Sequence, residues 1–136
     1  MNLTIEIPIK LPMELGRNSS RNCPIGMKAG LLADIEWTAH CCIVDARNLW
    51  EKAQGMMWYP LDKAMVKVQF LFRDNRRRDA DNYIGNRGWK RIQDLLVQDG
   101  IIRDDSWQHC TIGHGIGLSD EDKIVIEIEI LKKGGE

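Results

Sequence analysis

The sequence predicts an α+β fold: one domain over residues 1–136 in the order β-α-β-α-β-β, a mixed sheet covered by two helices. Three observations lead there. Apolar residues alternate with polar ones near the start, the middle and the end of the chain, the period of half-buried strands. Between the first two of these stretches runs a long stripe with intervals of three and four, the period of an amphipathic helix. A second, shorter helical stretch closed by a glycine precedes the last strands. At 136 residues a single core can bury roughly two-thirds of the unfolded surface, so no staples are required.

In order, Leu3, Ile5, Ile7 and Ile9 alternate with Thr4, Glu6 and Pro8, and Pro8 confines this strand to an edge or ends it early. Residues 11–29 hold Pro12, Gly16, a polar run from Arg17 to Asn22, Pro24 and Gly26, and read as an irregular loop. Leu32, Ile35, Ala39, Cys42, Ala46, Leu49 and Ala53 give a helix over about 29–54 with that stripe in the core. Val66, Val68, Phe70 and Phe72 mark the second strand. The second helix is expected from Asp81 or Asn82 to Asp99, with Ile92, Leu95 and Leu96 inward, Gly100 as terminator, and a weak start at Gly85 and Gly88. A strand near 107–113, a turn at Gly113, Gly115 and Gly117, and a last strand on Ile124, Ile126, Ile128 and Ile130 complete the chain.

Composition narrows the function classes. Hydrophobic residues are 43% and charged residues 29%, ordinary for a globular chain. No apolar run reaches the ~18 residues that cross a bilayer, and the N-terminus alternates and carries charge, so a cytoplasmic protein with no membrane partner is expected. Cys23, Cys41, Cys42 and Cys110 include no CxxC pair and read as free thiols rather than a zinc site or disulfides. The net charge of −1 is unevenly spread. From Arg73 to Arg91 seven cations face three aspartates, and it is the local field that binds phosphate.

The chemistry concentrates in Arg76-Arg77-Arg78-Asp79-Ala80-Asp81-Asn82. In an extended segment residues i and i+2 share a face, so Asp79 and Asp81 would present two carboxylates side by side. Such a pair repels unless a cation sits between them, and Mg²⁺ is held by one or two carboxylates together with waters and phosphate oxygens. A third carboxylate is on offer in Asp104-Asp105, beyond the second helix. The plainer alternatives are an acidic helix cap at Asp79 and Asp81 and a turn at Asp104-Asp105. They leave unexplained the arginines immediately before the acids. Five tryptophans invite a stacking role, Trp89 above all, although core burial is their commoner fate.

This pattern resembles the RusA-type Holliday junction resolvases. The resemblance rests on Arg76 to Asn82, on Asp94-Leu95-Leu96 shortly before Gly100, and on Ile101-Ile102-Arg103-Asp104-Asp105-Ser106, within an element order that agrees over most of the chain. It implies a RusA-like fold and a homodimer that cuts branched DNA, four-way junctions in particular, with Mg²⁺ or Mn²⁺ and no organic cofactor. Asp79, Asp81 and Asp105 take the place of the family's metal-binding catalytic aspartates. The family's lysine position, three residues after the asparagine, holds Gly85; counting back from Asp94 places the lysine at Lys90, with a five-residue insertion between Tyr83 and Trp89. If Lys90 does not reach, Arg87 or Arg78 stands in for it. Arg76, Arg77 and Arg78 are expected on DNA phosphates, with Arg87 beside them and Arg17 and Arg21 of the long loop as a second contact. The alternatives are a non-catalytic module binding branched DNA, and a nuclease acting on flaps or forks.

Overall fold

Alternation sets the frame. In the computed structural model, which describes residues 2–16 and 25–134 apart from the side chains of Ile25 and Asp81, the alternating stretches form β1 (Asn2–Ile7), β2 (Lys63–Phe72), β3 (Cys110–Leu118) and β4 (Lys123–Lys132). The helices are α1 (Ile25–Gln54), the single turn α2 (Asp81–Ile84) and α3 (Arg87–Gln98), and a 3-10 turn occupies Met13–Leu15. The sheet order is β1-β4-β2-β3. β4 runs antiparallel to both β1 and β2, whereas β2 and β3 are parallel, so the sheet is mixed. Parallel neighbours need a crossover, and α2 with α3 supplies it.

One sheet face carries Ile5, Val66, Val68, Phe70, Ile126 and Ile128, each no more than 2% exposed, in a core cluster that also contains Ile35, Ala39 and Ile43 of α1 and Trp89, Ile92, Leu95 and Leu96 of α3. Each such aliphatic or aromatic side chain contributes about 2 kcal/mol on burial. Phe70 is the junction of the layers, meeting Trp89 edge-on at 5.9 Å and Tyr83 at 5.7 Å.

The expected stripe of α1 holds at Leu32, Ile35, Ala39, Cys42 and Ala46, each buried or packed on the core, and departs only towards the C-terminal end. Ile43 and Trp50 are buried, and Leu49 is 69% exposed. At that end the buried position shifts by one residue, and the larger area of the Trp50 indole decides between Leu49 and Trp50. The helix also begins at Ile25 rather than near 29. The glycines at 113, 115 and 117 form no turn; they lie within β3, alternating with half-buried Ile112 and His114 and with exposed Ile116 and Leu118. The reversal comes after them, where Ser119 N–H donates to Phe72 O at 2.9 Å and Arg73 N–H donates to the Asp122 carboxylate at 2.9 Å.

The second helix is divided as the glycines suggested. Asn86, 1% exposed, starts α3: its Oδ1 accepts Gly88 N–H at 2.8 Å, and its Nδ2 donates to Pro12 O at 3.0 Å and Asn82 O at 3.1 Å. Gly88 belongs there because a Cβ would stand 2.8 Å from Ile35 Cδ1. Gly100 ends the helix at φ +73°, its N–H on Val97 O at 3.0 Å.

Candidate active site

β2 delivers the chain into the basic and acidic segment. Phe72, its last residue, is buried under the Arg78 guanidinium, 3.8 Å from the ring centre. Arg78 Nη2 meets Asp74 Oδ1 at 2.7 Å, and Nη1 donates to the carbonyls of Asp74 at 3.1 Å and Arg76 at 3.2 Å. This hydrogen bond from Arg78 holds the Asp74 carboxyl below the usual carboxylate range. With its side chain 9% exposed, Arg78 shapes the loop from within, whereas Arg76 and Arg77 face solvent.

Those two arginines line a cleft of about 760 Å³ with Lys10, Met13, Arg78, Asp79, Asn82 and Tyr83. Asp79 is exposed at the entrance to α2, its carbonyl accepting Asn82 N–H at 3.1 Å. Tyr83, packed 5.1 Å from Phe72, ties this short helix to the sheet. Among the described side chains, the cleft thus sets Asp79 among four cations. Lys10 carried no signal in the sequence, because only the fold brings the end of β1 to this loop.

A second cluster gathers on α3. Lys90 Nζ lies 3.0 Å from Asp94 Oδ1, one helical turn on, and 3.4 Å from Asp105 Oδ2. Gln93 Nε2 donates to the same Asp105 oxygen at 3.1 Å. Burial raises the Asp105 carboxyl, but the Gln93 amide and the Lys90 ammonium outweigh it and hold the group below the usual range. Lys90 is raised, first by its hydrogen bond to Asp94. Asp104 stays at the surface and accepts Asp105 N–H at 2.9 Å. Gln93 had no assigned role in the sequence reading and Asp94 none beyond the resemblance; their offsets of three and four from Lys90 were the signal available.

No family model matches the chain, and no curated protein matches it. Among the described side chains no three of His, Cys, Asp or Glu gather closely enough to hold a metal ion. Asp81 begins α2, and its side chain falls outside that set. Arg17 and Arg21 lie outside the described residues, and Arg87 is exposed on the first turn of α3. Trp89, at 2% exposure between Phe70 and His114, is core rather than a stacking platform, and the exposed tryptophans are Trp37 and Trp107. No helix among the described residues is long and apolar enough to cross a membrane.

Proposed function

We propose that this chain is a metal-dependent endonuclease of the RusA type that hydrolyses a phosphodiester of branched DNA, four-way junctions first among its substrates. The observation that carries the reading is the contact between Lys90 and Asp105. The resemblance, counted back from Asp94, implies the lysine at 90 and an acid at 105; their charged groups lie 3.4 Å apart. Two steps of four residues, each closed by a hydrogen bond of 3.1 Å, lead from Asn82 to Asn86 and from Asn86 to Lys90.

The donor set fits a hard cation. Asp79, Asp81 and Asp105 are the carboxylates that would hold Mg²⁺ or Mn²⁺, and Lys90 and Gln93 both approach Asp105 at its Oδ2. When bound, the ion lowers the pKa of a coordinated water and offsets charge on the phosphate. Lys90 faces the same phosphate and stabilises negative charge as the bond to the departing oxygen breaks. Arg76, Arg77 and Lys10 hold the flanking phosphates in the cleft, and Arg78 keeps their loop in shape. A homodimer would place two such sites across the two strands of a junction.

The test is a cleavage panel of four-way junctions, forks, flaps and linear duplex with Mg²⁺, Mn²⁺ or Ca²⁺. Asp79→Asn and Asp105→Asn should each abolish cutting while junction binding persists. Normal cutting by those variants overturns the site, and binding without cutting under every metal selects a non-catalytic module.

A further inference from the structure

Asp94 and Asp105 approach one ammonium from two sides. Lys90 is 61% exposed on its side chain, and Asp94 is the closer partner, at 3.0 Å against 3.4 Å for Asp105. Among the described residues, a long exposed lysine without Asp94 keeps one carboxylate partner, Asp105, which Gln93 already holds in place at 3.1 Å. An ammonium seated fully on that carboxylate opposes any divalent cation on it, since two positive charges then share one acid.

Resting on the metal-dependent reading above, we infer that Asp94 is a positioning residue that draws the Lys90 ammonium off Asp105 and so keeps Asp105 open to the metal ion. Its effect passes through Lys90 alone. An ordinary surface ion pair within a helix would contribute a few tenths of a kcal/mol to stability and leave metal affinity unchanged. Supporting residues of this kind alter metal affinity by about 10-fold or more when removed.

The probe is Mn²⁺ alone, without DNA, followed by the paramagnetic resonance signal of the unbound ion in the full chain. Asp94→Asn should weaken Mn²⁺ binding by about tenfold. Asp94→Glu should stay within a factor of about two, because the longer acid can still pair at four residues. The double variant Lys90→Gln with Asp94→Asn should bind as tightly as Lys90→Gln, since no ammonium remains to compete. Equal affinity of Asp94→Asn and the unmodified chain overturns the inference and leaves the nuclease reading standing. So does a double variant as weak as Asp94→Asn, which would make Asp94 a ligand or a structural support. An unmodified chain whose Mn²⁺ binding is absent, or indifferent to Asp105→Asn, overturns both.

Discussion

Asn86 offers the sharpest test of how the two halves of the candidate site are held together. In an isolated helix Asp and Asn are equally good N-caps, so Asn86→Asp should be silent if capping were the whole of its role. Here the amide nitrogen also donates to Pro12 O and Asn82 O, within a site 1% exposed. Asn86→Ala removes these two bonds and the cap to Gly88 N–H. At about 1 kcal/mol each the loss is about 3 kcal/mol. Asn86→Asp keeps the cap but turns a carboxylate toward two carbonyl oxygens, and should cost at least as much. For 136 residues the unfolding entropy of ~2.1 cal/mol/K per residue makes 3 kcal/mol about 10 °C in Tm. Urea unfolding followed by circular dichroism at pH 7 measures both. Burial raises the new carboxyl in the folded state, so Asn86→Asp should recover part of its deficit against the unmodified chain as pH falls toward 4 and the group regains a proton to donate. An Asn86→Asp protein within about 0.5 kcal/mol of the unmodified chain would refute the reasoning.

The three consecutive arginines should separate by role: Arg76→Ala and Arg77→Ala each weaken junction binding and lower the slope of log affinity against log salt by about 0.9, whereas Arg78→Ala lowers Tm. Equal effects at all three positions in a salt titration and a thermal melt contradict that division. Burial pushes the Cys110 thiol up to about 11, so with Cys23, Cys41 and Cys42 replaced by serine the native protein at pH 8 should resist iodoacetamide and label only in denaturant. Rapid native labelling at Cys110 would be the contrary result. Burial lowers His114 below its ordinary 6.5, and its Nε2 is buried without a hydrogen-bond partner. Its contribution is therefore full above about 6.5 and lost as pH falls from there toward the lower folded value. His114→Phe should reduce the Tm drop between pH 7.5 and 5.5, and an unchanged drop would rule this out.

Much of the sheet was legible because β2 and β4 alternate without interruption and bury their alternate residues as the pattern requires. The C-terminal end of α1 was not, since Leu49 and Trp50 both fit a helical stripe and only packing chooses between neighbours 100° apart. In β3 the glycines concealed a strand: two-residue alternation ran through them, but residues without side chains give no apolar signal on their own face. Within the candidate site, Lys90 and Asp105 were named from the sequence, but the contact between them depends on the tight return after Gly100. Arg76, Arg77 and Arg78 are chemically identical in the sequence. What sets Arg78 apart is the ring of Phe72 and the carboxylate of Asp74, both supplied by the fold.

The interruption between α2 and α3 frees the phase of the second helix from that of the first. In a continuous helix, five added residues would swing everything downstream by about 140° and carry it 7.5 Å along the axis. At Asn86 the helical count starts afresh, because the cap defines the first turn regardless of what precedes it. The face bearing Lys90, Gln93 and Asp94 therefore takes its aim at Asp105 from the cap, whatever the phase of α2.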